Sequence, residues 1–386
     1  MRTGEENREP TMTVPGGKRI RVLALVYSME NGGAQQILLN HLRYFKDDPD
    51  VNYLLYVFKS PSDSKYDRAV SEEDLPVHYM NEPKSPLHVR YIRGVFNLAV
   101  ARRAYAELIA RVKPDIVHVH ISGLLDKCLP GIMKSAVPVR LVTLHSDPGR
   151  AKGRELAMIR RAFSAGGFVP VCLTNEQAEK AKLRYGFDRW FVARNGLDIE
   201  AIRSKALPRD EARKMLGIPD GCPVICAVGR LDDIKNIPLL ISAFALLPDD
   251  HMLILAGDGP KRAALEEQVR EEGIEERVRF LGQCSDVAPI YCASDIFAMT
   301  SHSEAFGLAL LEAQIYGLRC VISAGVPDES IVTDRVEKMP AGAGAADWAR
   351  ALGNPDYRGR AVCRLEDYSL DASCGRMKEI YVGKGK

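Results

Sequence analysis

The run SEAFGLALLEAQ, residues 303–314, carries two carboxylates, Glu304 and Glu312, around Phe306 and Gly307, and it directly follows the apolar run DIFAMT. Read as strand, loop and helix, this pattern places Glu304 in the loop, Phe306 and Gly307 at the helix start, and Glu312 about two turns into the helix. The N–H groups of a helix N-terminus attract anions, and a glycine there lets a phosphate approach the backbone closely. Glu304 and Glu312 do not share one helical turn, so a ligand touching both must be long. Each carboxylate can accept two hydrogen bonds from a vicinal diol. A nucleotide with hydroxyl-rich groups at both ends has that shape. The same spacing also suits a capping Glu followed by a solvated Glu on an amphipathic helix.

A second group follows the run PVICAVG: Gly229, Arg230 and Leu231, then Lys235 and Asn236. Two cations on a loop at the carboxyl end of a strand can hold a diphosphate, Arg by its planar fork and Lys as a point charge. Asp232 and Asp233 lie between them, so a surface loop of mixed charge is the competing reading. Near the start of the chain, Gly32 and Gly33 sit between an apolar run and AQQILLNHLRYF, a glycine turn that can cradle phosphate without the G-x-G-x-x-G order of dinucleotide folds. GDGP, residues 257–260, lacks the Lys-Ser/Thr of a P-loop and reads as a plain strand-to-helix turn. His145 ends the strand-like PVRLVTLH. His118 and His120 alternate on one face of DIVHVHI, where a buried hydrogen-bonded pair suits them better than a metal site lacking a third ligand. The pairs Asp232/Asp233 and Asp249/Asp250 are not an Asp-x-Asp clamp, and no essential metal is expected.

These residues need a scaffold that brings strand ends together. The chain has 386 residues, 46% hydrophobic and 27% charged, the profile of a globular protein with more than one core. From Lys18 onward β-branched runs alternate with amphipathic helical stretches, which implies parallel α/β sheets, and the rhythm restarts at Pro223. Two doubly wound domains follow, with their ligand site at the carboxyl ends of the strands and therefore in the cleft where the two face each other. The expected organisation is a loose arm over 1–18, a first Rossmann-like domain over 19–200, a second Rossmann-like domain over 201–368, and a C-terminal helix over 369–386 packing back onto the first domain. A hinge is expected between NGLD, residues 195–198, and Pro223.

Lys plus Arg total 53 against 51 Asp plus Glu, a balance that gives no footing for bulk electrostatic binding to nucleic acid. The nine cysteines are odd in number and form no C-x-x-C pair, so they read as reduced core residues. No secretory h-region or bilayer-length apolar run is visible, and a cytoplasmic protein is expected.

Taken in order along one chain, GGAQ (32–35), PDIVHVH (114–120), TLHSD (143–147), NGLD (195–198), GRLDDIKN (229–236), GDGP (257–260), FLGQCSDV (280–287) and the Glu304-to-Glu312 run resemble the retaining glycosyltransferases of the GT-B fold, sequence family 4. The resemblance implies that Arg230 and Lys235 hold the donor diphosphate, Glu304 the donor sugar hydroxyls and Glu312 the ribose. It further implies that Phe306, Gly307 and Leu308 supply backbone donors, that Gly33 approaches the diphosphate, that Gln283 lies where the base is held, and that His145 stands near the transferred sugar. The implied reaction keeps the anomeric configuration, uses a nucleoside diphosphate sugar (UDP favoured) as donor and needs no cofactor or metal. The implied product belongs to capsule or exopolysaccharide synthesis on a glycan or polyprenyl-linked acceptor. The basic stretch 84–113, interleaved with Tyr91, Ile92, Val95, Phe96 and Leu98, could then lie peripherally on the anionic inner face of the cell membrane, or form a core-packed helix with a solvated basic face. The alternatives are a nucleotide-sugar epimerase of GT-B-like fold and a non-catalytic nucleotide-sugar-binding protein. Ala305 and Ala309, and the acidic Asp232-Asp233, depart mildly from the family pattern.

Overall fold

The computed structural model describes residues 19–30, 32–62, 64–80, 90–354 and 365–384, and of 90–96 the backbone alone. The arm expected over 1–18 lies outside the described residues, as do the side chains of the basic stretch up to residue 96. The chain divides into two compact units, one made of Met1–Gly196 and Leu370–Lys386, the other of Leu197–Ser369.

The strands of the first unit are β1 (Ile20–Val26), β2 (Val51–Val57), β3 (Val77–Tyr79), β4 (Ile116–Val119), β5 (Val139–Thr143), β6 (Val169–Cys172) and β7 (Phe191–Val192). They pair in parallel in the order β3-β2-β1-β4-β5-β6-β7. The second unit holds β8 (Val224–Val228), β9 (Met252–Ala256), β10 (Val278–Gly282), β11 (Ile296–Met299), β12 (Arg319–Ile322) and β13 (Val336–Lys338), again parallel, in the order β10-β9-β8-β11-β12-β13. Both are doubly wound Rossmann-like α/β sheets, and the ten strands expected from apolar runs are all present. β3, β7 and β13 were not expected, because runs of two or three residues carry no readable periodicity.

The central strands read as unbroken apolar runs because helices cover both faces of each sheet. Val22 to Val26 are fully buried, and separate apolar clusters fill the two faces of each unit. The last helix, Leu370–Tyr381, returns to the first unit, where Met377, Ile380 and Tyr381 join the cluster under the helix Gly33–Phe45. Lys378 secures it at 2.7 Å from Asp48 and 2.8 Å from Asp50. The segment after Leu197, expected as a hinge, is folded onto the second unit. Arg213 is buried and donates to Ala293 O at 3.1 Å and to Asp295 at 3.0 Å, and the Tyr316 hydroxyl donates to Ile202 O at 2.9 Å.

In the helix Arg90–Val112, Ala101, Tyr105, Leu108 and Ile109 are buried in the first unit's core while Arg103 and Arg111 are exposed. Its described part is therefore a core-packed helix with a solvated basic face. Among the described residues no helix is long and apolar enough to cross a membrane. The eight described cysteines are free thiols.

Ile380 is fully buried although it lies at the far end of the chain from the core it fills. Ile380→Ala is expected to destabilise the first unit by about 2–4 kcal/mol through lost burial and the cavity left behind. Urea titration followed by fluorescence checks this, and the outcome expected is a lower midpoint for one transition.

Candidate active site

In each sheet the strand order reverses at one point, between β1 and β4 in the first unit and between β8 and β11 in the second. Loops leaving two such strands run to opposite sides and open a crevice between them. In the second unit this crevice has a volume of about 290 Å³ and is lined by Gly229, Leu231, Lys235, Thr300 and Ser301 among others.

Glycines make the β8 loop possible. Gly229 has φ +152°, and a Cβ there would lie 3.1 Å from the Lys235 side chain. Gly257 has φ +137°, and a Cβ on it would fall 1.8 Å from Gly229 O. GDGP is thus the packing turn that the sequence suggested: Gly229 N donates to Ala256 O at 2.9 Å and Leu231 N to Asp258 O at 3.0 Å. The acidic pair is accounted for locally. Asp232 Oδ1 accepts from the Ile234 and Lys235 amides at 3.1 and 3.3 Å, and Asp233 pairs with Lys261 at 2.7 Å. Neither carboxylate is recorded on the cations beside it. Arg230 is exposed, and among the described residues no ion pair is recorded for it.

The β8 and β11 loops meet at a charge pair. Lys235 Nζ donates to Glu304 Oε1 at 2.6 Å, and Ser301 Oγ donates to the same oxygen at 2.6 Å. Both side chains of the pair are mostly buried, 22% and 14% exposed, so the pair is stronger than a surface one. Thr300 Oγ1 donates to Lys235 O at 2.8 Å, and His302 N to Ile234 O at 2.8 Å, so the two loops are fixed to each other by backbone as well as charge. The Lys235 and Ser301 bonds both fall on Oε1; Glu304 Oε2 has no hydrogen-bond partner among the described residues. Glu304 N donates to Gly325 O at 3.0 Å.

Gly307 adopts φ +90° as the residue before the helix Leu308–Ile315, and no side chain caps that helix start. Its first amides are therefore open to an anion. Phe306 is buried, its ring centroid 5.9 Å from that of Tyr368. Glu312 is half-buried and its Oε2 accepts from the Tyr291 hydroxyl at 3.1 Å. Gln283 is exposed just beyond β10. The second unit thus brings Lys235 and Glu304 into contact and sets Arg230 and Gly307 on the adjoining loops, while Glu312 stands along the helix.

The first unit carries the other two expected residues. Gly33 opens the helix after β1 and is exposed. His145 follows β5 and is half-buried; desolvation lowers its pKa to about 4, so its ring is neutral near pH 7. His118 and His120 are a buried hydrogen-bonded pair: His118 bonds the Tyr381 hydroxyl and Thr143 Oγ1, each at 2.7 Å, and His120 lies 3.2 Å from the Tyr53 hydroxyl. Sequence reasoning missed Ser301, Thr300, Tyr291 and Tyr53. The partners of Thr300, Tyr291 and Tyr53 lie 65, 21 and 67 residues away, and such pairing leaves no spacing signal.

Residues 31–201 match the family model described as Glycosyltransferase Family 4, and residues 208–351 match Glycosyl transferases group 1. Among relatives, the Bacillus subtilis (strain 168) protein named "Putative glycosyltransferase EpsF" is 24% identical over 80% of this chain and 80% of its own. D-inositol 3-phosphate glycosyltransferase of Corynebacterium urealyticum is 35% identical over 47% of each chain. Among solved structures, Anabaena Alr3699/HepE in complex with UDP and glucose superposes with a TM-score of 0.69 at 20% identity, over 94% of this chain and 95% of that one. That likeness shows the fold, GT-B.

Gly257→Ala is expected to disturb the β8 loop through its backbone clash, lowering the second unit's melting temperature by several degrees, as a cost of about 2 kcal/mol implies. Differential scanning calorimetry reads the shift, with Gly273→Ala, where a Cβ would meet open space but at φ +66°, as the comparison for backbone strain alone.

Proposed function

We propose, for a chain whose two halves match the glycosyltransferase models of family 4 and group 1, that it transfers a hexose or N-acetylhexosamine with retention of configuration from a nucleoside diphosphate sugar. UDP is the favoured nucleotide, and the acceptor is a glycan or lipid-linked sugar in cell-surface polysaccharide synthesis. The observation that carries this reading is the Lys235–Glu304–Ser301 contact in the crevice between β8 and β11, with Arg230 on the same loop and uncapped helix amides after Gly307. The UDP bound by HepE, which shares this fold, supports the choice of donor.

In this mechanism the donor diphosphate takes Lys235 from Glu304 and draws in Arg230, so the two cations face negative charge as it develops on the leaving group. The freed Glu304 accepts hydrogen bonds from the sugar hydroxyls, and Glu312, held by Tyr291, accepts from the ribose diol. Backbone amides from Phe306 to Leu308 donate to sugar and phosphate, and backbone groups at Gln283 meet the base. In the first unit Gly33 lets the diphosphate approach and His145 meets the transferred sugar. The bond from the anomeric carbon to the diphosphate breaks through a short-lived oxocarbenium ion. The acceptor oxygen bonds that carbon on the same face, and its proton passes to the departing phosphate. The protein's part is alignment and charge stabilisation, with no covalent carboxylate and no metal.

A peripheral seat on an anionic membrane is part of this proposal. Ala101, Tyr105, Leu108 and Ile109 are already used in the core, so attraction by the basic stretch 84–113 would be electrostatic and weakened by salt. Flotation with anionic and neutral liposomes at low and high salt checks it; equal recovery on both would remove the membrane from the account.

Thermal unfolding with UDP, GDP, ADP and NAD tests the donor assignment. A diphosphate at about 100 times its Kd adds roughly 2.7 kcal/mol, a clear shift, which Arg230→Ala is expected to abolish. No response to any diphosphate from folded protein would contradict the reading. Glu304→Gln is expected to cost about 10²–10³ in kcat, and EDTA to leave turnover unchanged, both read by product formation from the preferred donor.

A further inference from the structure

Behind His145 lies a group of buried polar side chains drawn from β2, β4, β5 and the C-terminal helix. His118 and His120, on and just beyond β4, have ring centroids 4.0 Å apart. Thr143 ends β5, Tyr53 is on β2, and Tyr381 comes from the C-terminal helix. All five are nine-tenths or more buried. His118 Nε2 meets Thr143 Oγ1 at 2.7 Å and its Nδ1 meets the Tyr381 hydroxyl at 2.7 Å. The Tyr53 hydroxyl instead meets His120 Nε2 at 3.2 Å, and His120 Nδ1 reaches His145 Nε2 at 3.4 Å.

Burial holds His118 and His120 well below the ordinary imidazole range, and His145 is neutral near pH 7. A neutral imidazole has one N–H and one lone pair, so each of the links from Tyr53 through His120 to His145 must have one donor and one acceptor. Two proton arrangements satisfy both links. In one, Tyr53 donates to His120 Nε2 and His120 Nδ1–H donates to His145 Nε2. In the other, both protons run the opposite way, and the Tyr53 hydroxyl, whose hydrogen bond among the described residues is to His120, is left holding a buried proton with no acceptor. Leaving a buried donor unmet costs its full desolvation, so the first arrangement wins. His145 Nε2 is then an acceptor inside the fold and its proton sits on Nδ1.

We propose that Tyr53 and His120 form a relay that locks His145 in its Nδ1–H tautomer, so that the ring offers a hydrogen-bond donor to an oxygen of the bound sugar. Both are positioning residues. The part of this inference that concerns the sugar rests on the proposed function; the tautomer does not.

Long-range ¹H–¹⁵N correlation spectra of the full chain labelled at histidine nitrogens test it, with Tyr53→Phe, which keeps the ring packing and removes the hydroxyl. In the unaltered protein His145 is expected to be protonated at Nδ1 alone, and in the variant to become a mixture of tautomers. Phe45→Leu, which disturbs packing on the Tyr53 ring without touching the relay, is expected to leave the His145 signals in place. His145 protonated at Nε2 in the unaltered protein, or unchanged in Tyr53→Phe, overturns the relay, as does an equal change in Phe45→Leu. Turnover is measured alongside: Tyr53→Phe is expected to lower kcat about tenfold with donor KM little changed. A tautomer change with undiminished kcat would uphold the relay and count against the place of His145 at the sugar.

Discussion

Every strand in both sheets runs parallel, and that single constraint organises the chemistry. Parallel strands need crossovers, the crossovers cover both faces with helices, and the only open places left on the sheet are the strand ends. At the carboxyl end beside a reversal of strand order, two neighbouring loops diverge and cannot fill the space between them. In the second unit that space is lined by Gly229, Leu231 and Lys235 after β8 and by Thr300 and Ser301 after β11. The Lys235–Glu304 pair ties the loops while leaving one carboxylate oxygen and the helix amides unspent.

The tie also sets what the site does on meeting a ligand. A mostly buried lysine and glutamate compensate each other across the two loops. In the proposed reaction a diphosphate competes for the lysine and offers sugar hydroxyls to the glutamate in exchange, so both groups would start close to where the donor needs them. Preorganised charge of this kind stabilises a transition state without reorganisation at the moment of reaction.

Much of this was readable in the chain. The apolar runs marked ten strands because full burial on both faces leaves no polar interruptions, and the order of short motifs pointed to the family. GDGP read correctly as a turn, and His118 with His120 as a buried pair, because neither carried the additional residues its functional reading requires. What stayed hidden depends on distance along the chain. Lys235 and Glu304 are 69 residues apart and His118 and Tyr381 are 263 apart, so no local spacing announces that they touch. The acidic Asp232-Asp233 suggested repulsion of an anion, whereas the fold directs one carboxylate to loop amides and the other to Lys261. The segment after Leu197 looked like a linker from its prolines and glycines, yet Arg213 anchors it through partners some 80 residues away.

The central claim is that a nucleoside diphosphate occupies the crevice between β8 and β11. Hydrogen–deuterium exchange of the full chain with and without UDP at saturation measures this most directly. The account predicts slowed exchange in the second unit at 229–236 and 301–312, the two loops and the start of the helix that follows. Binding accompanied by protection elsewhere in the second unit, with these segments unchanged, would contradict it.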